Sequence, residues 1–389
     1  MNQGKYVFSQ LIEFLSHNEF NRCVSAFKGD RKIKTFSCWN QMLYMIFGQL
    51  SNRDSLSDLI LCIDSLCNKI YHLGMGNGTS KANLAKANEN RDYHIYESFA
   101  QTLVQQIGSL KLSTEDFESK ILSPVYAIDA TVVDLCLNLF WWGKFRKYKA
   151  AVKLHTMLDV KTAVPTVIVV TGGSVHEVTM LNSFPIEEGC YYLMDKGYID
   201  FEQLNRIHKA SAFFVMPAKD NFAYRRLASR LVNKQSGLRS DQTVKLKNQL
   251  VSKKYPDILR RIRFRDQENA RTLTFITNNH DIDALEIAQL YKYRWKIELF
   301  FKWIKQHLKI KTFWGHSLNA VRTQVYIAMI TYLLVAIVKH KLKLKQSHYE
   351  ILQILSISLL CKTPLNELFE NPNQQYVKEL YHNQLRIFE

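Results

Sequence analysis

Up to about residue 110, apolar residues recur three and four positions apart, the spacing of one helix face. Tyr6, Leu11, Ile12, Phe14 and Leu15 begin the pattern, and Ser37 caps a helix predicted through Phe47. Ser51 to Asp54 forms a second cap region, ahead of Leu56, Leu59, Ile60, Ile63 and Leu66. Glycines 74, 76 and 78 break the pattern, and TSKANLAKANENR follows with Lys81, Lys86 and Arg91. Helix, glycine turn and short basic helix fit either a helix-turn-helix-like DNA-binding module or a packing and dimerisation role.

Near residue 120 the period changes. Pro124 leads into VYAIDAT, an apolar strand predicted to end at Asp129. Trp141, Trp142 and the basic group Lys144, Arg146, Lys147 and Lys149 predict a loop. AAVKLHTMLDV and VPTVIVVTGG predict two more strands, and His176 and Glu177 open a short helix through Leu181. CYYLMDKGY predicts a fourth strand ending at Asp195, DFEQLNRIHKA a helix and AFFVMPA a fifth strand. A meander of strands, then strands alternating with helices, predicts an α/β fold with a mixed sheet and flanking helices. Two aspartates at strand ends stand where sites on such sheets lie.

Residues 219–271 differ: 15 Lys/Arg face 5 Asp/Glu. That excess suits a folded basic subdomain laid along a phosphate backbone, through Arg260, Arg261 and Arg263 among others. At this length a flexible loop is the weaker expectation. TLTFIT then predicts a strand, Asn278 to Asp283 a capped loop, and a long helix starts near Ala284. From Thr323 the chain is helical again, with a basic run from Lys339 to Lys345 and a capped helix after Thr363. Three blocks follow: a helical N-terminal domain over 1–115, a sheet-based core over 120–345 and a helical C-terminal region over 346–389.

The stretch YKYRWKIELFFKWIK, Tyr291 to Lys305, carries the most specific pattern. On one continuous helix, Tyr291, Arg294, Glu298 and Lys305 fall within roughly 60° of one another, with Trp295 and Lys302 beside them. Tyr293, Ile297, Phe300, Phe301, Ile304 and Leu308 form the opposite, core face. Arg294 and Glu298 alone would be an ordinary surface pair worth a few tenths of a kcal/mol.

Charge changes the picture. A net +17 and a sequence pI of about 9.4 point to a polyanionic partner, most often nucleic acid. The N-terminus has no signal-peptide layout, and the apolar run Val325 to Val338 is short for a membrane span and reads as a core helix. A cytoplasmic protein with no membrane partner is expected, its seven cysteines reduced thiols without close metal-type pairs.

Asp129, Asp195 and Glu298 are three carboxylates from separate elements beside a cationic stripe. Such a set suits two divalent ions acting on a phosphodiester, and all-oxygen ligands favour Mg²⁺ or Mn²⁺. His155 and His176 are expected to be structural.

The spacing Tyr291-x2-Arg294-x3-Glu298-x6-Lys305 resembles the signature of DDE transposases of the insertion sequence 4 family. Asp129 in AIDAT resembles that family's first catalytic aspartate. Asp195 in LMDKGY resembles its second, with Gly197 and Tyr198 following as glycine and aromatic. The resemblance covers about residues 120 to 340 and implies a ribonuclease-H-like core with a strand-rich insertion before the glutamate helix. It further implies cut-and-paste transposition: binding of terminal inverted repeats, cleavage there and joining to target DNA, as a homodimer in a synaptic complex. Tyr291, Arg294, Trp295, Lys302 and Lys305 would then contact DNA. Trp295 either stacks on a displaced base or packs at the helix flank. A metal nuclease or resolvase of the same fold, and an inactive DNA-binding copy, are the alternatives.

Overall fold

The structure, a computed structural model, describes residues 4–66, 69–109, 119–135, 140, 142, 144–146, 149–266, 271–307 and 313–370. Trp141, Lys147, Leu308, the junction near 115 and the tail after 370 lie outside the described residues. The chain forms two compact units, Met1–Leu103 with His307–Glu389, and Val104–Gln306. In this division the helices after residue 307 fall in the unit of the N-terminal ones, whereas the expected sheet-based core ran over 120–345.

The N-terminal helices are α1 (Val7–Ile12), α2 (His17–Ala26), α3 (Cys38–Leu50), α4 (Leu56–Asp64), α5 (Lys81–Asn90) and α6 (His94–Ser109). Ser16, Ser37, Ser55 and Ser80 cap α2 to α5, each accepting the amide three residues on. The cap of α4 is thus Ser55, just past the expected Ser51 to Asp54. Lys81 and Lys86 on α5 are exposed, but Arg91 is 8% exposed and donates to the Ser37 carbonyl and Gln41 at 2.8 and 2.9 Å.

In the other unit the described residues form one ten-stranded sheet. They are β1 (Val125–Leu135), β2 (Lys144–Arg146), β3 (Lys149–Asp159), β4 (Val164–Gly172) and β5 (Tyr191–Met194). After α7 (Phe201–Lys209) come β6 (Phe213–Pro217), β7 (Tyr224–Arg230) and β8 (Leu238–Leu246). Then follow α8 (Gln249–Lys254), β9 (Leu259–Asp266), β10 (Arg271–Thr277), α9 (Ala284–Lys292) and α10 (Trp295–His307). β1, β5 and β6 are parallel neighbours; β3 pairs antiparallel with β1, and β4 with β3. The order β4-β3-β1-β5-β6, with α7 crossing between parallel β5 and β6, is the ribonuclease-H-like arrangement. Tyr191–Met194 is buried throughout, as a central parallel strand requires.

The basic insertion is not a separate body. β7, β8 and β9 form an antiparallel meander that β10 joins to the edge of β6. Gly237 turns the chain into β8 at φ +91, and a Cβ there would stand 2.8 Å from the Arg265 carbonyl, so only glycine fits. The loop after β10 is tied down from within. Asn279 Oδ1 accepts the amides of Asp281 and Ile282 at 2.9 and 3.0 Å, and Asp283 caps α9.

The chain then enters α11 (Leu318–Lys341), α12 (His348–Ser358) and α13 (Leu365–Leu368). α11 is long and apolar enough to cross a membrane, but 94% of its apolar window is buried within the protein. It is capped by Ser317 and buried on all sides from Val325 to Val338, the core helix expected.

Candidate active site

Strand register brings the two aspartates together. Ile128 of β1 lies opposite Met194 of β5 in parallel pairing, so Asp129 and Asp195 follow side by side, on strands about 5 Å apart. There the strands part. β1 runs on for six residues past Asp129, further than expected, because β3 still pairs it. β5 stops, and Asp195 caps a short 3₁₀ helix (Lys196–Tyr198) by accepting the Lys196 amide.

Glu298 comes from α10. The single helix expected over Tyr291 to Lys305 is two helices, α9 and α10, joined by a tight turn. Across the join the amides of Tyr293, Arg294, Lys296 and Ile297 each bond the carbonyl three residues back. In such a turn positions i and i+3 eclipse. Arg294 accordingly sits over Tyr291, its guanidinium carbon 5.7 Å from the ring centroid, while that ring packs on Phe275 at 5.0 Å. Burial pushes the Tyr291 hydroxyl up to about 12.

Arg294 links the strand to the helix. Its Nη1 donates to Asp129 Oδ2 at 3.0 Å and its Nη2 to Glu298 Oε1. At 16% exposure this is not the surface pair that the helix alone suggested. Asp129 Oδ1 accepts the Ala130 amide at 2.8 Å. Burial nonetheless pushes Asp129 up to about 6; the amide and Arg294 oppose the shift, while Glu177 and Asp195 add to it.

Other cations and rings fall into two classes. Lys305 Nζ donates to the Val132 carbonyl at 2.8 Å, tying α10 to β1 beyond Asp129. Lys302 is exposed, and Trp295 is 58% exposed, which removes core packing as its role. Ile297, Phe300, Phe301 and Ile304 form the expected buried face; Tyr293 is half-buried.

Arg260 corrects an expectation. It is 3% exposed, holds Asp241 through Nε and Nη2 at 2.9 and 2.7 Å, and donates to the Ile282 carbonyl at 2.5 Å. It anchors the loop that launches α9 and is closed to a phosphate. The next positions alternate. Arg263 is exposed and Arg261 half-buried, its guanidinium 4.8 Å from the Tyr224 ring centroid. Both line a cavity of about 350 Å³ with Lys219, Tyr224, Thr272 and Thr274, and Lys219 also lines one of about 450 Å³ with Lys196 and Gly197.

Three neighbours of the aspartates were assigned no site role from sequence: Glu177, Lys153 and Tyr198, the last noted only as the aromatic of the family pattern. Lys153 Nζ lies 3.5 Å from Glu177 Oε1. His155 is buried and held at 2.9 Å from Thr171 Oγ1, with burial pushing it down to about 4, a neutral structural histidine as expected; His176 is exposed.

The donors at this edge are carboxylate oxygens, the set that suits a hard divalent ion. Among the described residues no three of them yet converge on one point that could hold a metal. Arg294 occupies an oxygen of two.

Comparison with known proteins identifies the family. The family model of the transposase DDE domain matches residues 121–334, and that of a domain of unknown function (DUF4372) matches 3–76. A putative transposase y4zB of Sinorhizobium fredii is 35% identical over 258 residues, 65% of this chain and 70% of that protein. A probable transposase for insertion sequence element IS5377 of Geobacillus stearothermophilus is 31% identical over 215 residues, 54% of this chain and 55% of that one. A solved piggyBac transposase synaptic complex with hairpin DNA aligns with a TM-score of 0.45 at 10% identity, covering 96% of this chain and 84% of that chain, too distant to bear on fold or site. With the two aspartates in register and more than half of its length matched by the family, the chain belongs to the transposase DDE domain family, enzymes that depend on divalent metal and act on DNA.

Proposed function

We propose that this protein is a transposase of the insertion sequence 4 type, cutting DNA at the terminal inverted repeats of its element and joining the ends to target DNA. The observation that carries the proposal is the side-by-side placement of Asp129 and Asp195 at one sheet edge, with Arg294 linking Asp129 to Glu298.

Asp129, Asp195 and Glu298 would hold two Mg²⁺ or Mn²⁺ ions, which supply an activated water or 3′-hydroxyl and stabilise the leaving oxygen. Arg294 passes from the carboxylates to a phosphate, where its fork makes two parallel hydrogen bonds. Tyr291 limits the directions that guanidinium can take. Lys305 fixes α10 against β1, so that Glu298 keeps its distance from Asp129. Trp295 offers an exposed ring on which a displaced base can stack, and Lys302 a nearby charge. Arg261, Arg263 and Lys219 extend a basic surface onto the insertion, suited to the phosphate backbone. The helical unit, with exposed Lys81 and Lys86, is assigned to DNA-end binding, and two copies to the synaptic complex. Action on DNA within the cytoplasm is consistent with this reading.

Labelled duplexes ending in the inverted repeats that flank the gene test the proposal. Metal-dependent cleavage and joined products are expected. Cleavage without joining would identify a nuclease or resolvase, and binding alone an inactive copy.

A further inference from the structure

β4 leads into a 3₁₀ helix, Glu177–Ser183, and its first residue reaches the sheet edge of the two aspartates. Glu177 Oε2 stands 3.4 Å from where a Cβ on Gly197 would be, two residues beyond Asp195. Its Oε1 is engaged by Lys153, a buried residue of β3 that also donates to the Val175 carbonyl at 3.0 Å. Lys153 pairs with Val132, three positions along β1 from Asp129. Lysine and short helix together fix Glu177 and leave Oε2 for another partner.

A second observation points to that partner. Tyr198 is fully buried, and its hydroxyl has no hydrogen-bond partner. Burial raises its pKa most, with Asp129, Glu177 and Asp195 adding to the shift, and the residue belongs to the turn that follows Asp195. Buried hydroxyls are satisfied in nearly all proteins, so this one calls for a partner beside the turn that follows Asp195.

We infer that Glu177 is a fourth carboxylate of the metal centre, a positioning residue that bonds the hydration shell of an ion held by Asp129 and Asp195. Mg²⁺ keeps several waters, and groups that accept hydrogen bonds from them orient the ion and raise its affinity. The hydroxyl of Tyr198 bonds the same shell. The inference rests on the metal reading of the two aspartates. The competing account is an internal ion pair between Lys153 and Glu177 that only supports the fold.

Mn²⁺ alone, titrated by calorimetry into the full chain, separates these accounts. Glu177→Gln should weaken Mn²⁺ binding about 10- to 100-fold, with metal-free DNA binding unchanged and the chain still folded. The Mg²⁺ needed for half-maximal cleavage should rise in parallel. Unchanged Mn²⁺ affinity would overturn the inference. If the Gln variant fails to fold, Glu177→Asp keeps the charge and withdraws the carboxylate by one methylene, and the same weakening is expected; no weakening there would overturn it too. Asp129→Asn is the reference. If it leaves Mn²⁺ affinity intact, the metal reading itself is wrong and the inference falls with it. If it abolishes binding while Glu177→Gln does not weaken it, only the role of Glu177 is wrong.

Discussion

Arg294 and Asp129, 165 positions apart in the chain, are joined Nη1 to Oδ2 at 3.0 Å. The same guanidinium holds Glu298, so one arginine joins the strand carboxylate to the helix carboxylate. Lysine offers a point charge and cannot span two carboxylates in a plane. Arg294→Lys should therefore cut single-turnover cleavage and joining by about 100-fold, since misplacement by about 1 Å costs that much. DNA binding at saturation should hardly change. Rates within a few-fold of wild type would reduce Arg294 to a charge partner.

If Asp129, Asp195 and Glu298 are the metal ligands proposed, Asp129→Ala, Asp195→Ala and Glu298→Ala should each abolish Mg²⁺-dependent cleavage while leaving DNA binding intact, because a carboxylate makes no phosphate contact. Gel-shift and cleavage assays on the same preparations decide this. A variant that cleaves at the wild-type rate exonerates its residue.

Asp129 titrates high, pushed from 3.8 to about 6 chiefly by burial. A carboxyl whose folded pKa lies above its unfolded one makes the native state bind the extra proton. Its contribution to stability therefore declines as pH rises through about 4 to 6. Metal needs the ionised form. Mn²⁺ affinity should fall about tenfold per pH unit below about 6 and be flat above it. Arg294→Gln removes a charge that lowers this pKa and should move the break upward. Calorimetry between pH 5 and 8 measures it, and a flat profile would exclude Asp129 as the titrating ligand.

Two arginines three residues apart on β9 should behave oppositely. Arg260→Ala removes the two short hydrogen bonds of the buried Asp241 carboxylate, leaving it Arg230 at 3.6 Å, and should cost about 3 kcal/mol in chemical denaturation. Arg263→Gln should leave stability within about 0.5 kcal/mol. It should lower the log–log salt slope of DNA binding by roughly 0.9 if Arg263 meets a phosphate. An unchanged slope would make Arg263 a solvated side chain.

Much of this was legible in the sequence, and the exceptions have physical causes. The strands at Asp129 and Asp195 were legible because buried parallel strands are continuous apolar runs. Their adjacency was not, since it depends on the pairing of Ile128 with Met194. The helix break at Arg294 carries no proline or glycine, and a tightened turn leaves no mark in residue type. Arg260 was legible in principle: in LRRIRFRD it shares the parity of Ile262 and Phe264, and the structure buries all three. Counting its charge without its alternation misplaced it. Glu177 was hidden because its neighbours come from β3 and from the turn after β5.

The continuity of the sheet governs how the insertion can be altered. β10 leans on β6, and the meander of β7 to β9 leans on β10, so hydrogen-bonded rungs run without a gap from the strand of Asp129 to the outermost strand. Such a plate has no hinge, and a pull on β7 is felt as a shared load rather than as the swing of an appendage. Excising the meander would also uncover the rungs of β10, a ready template for pairing with another chain. The loss would show first as sticking between molecules.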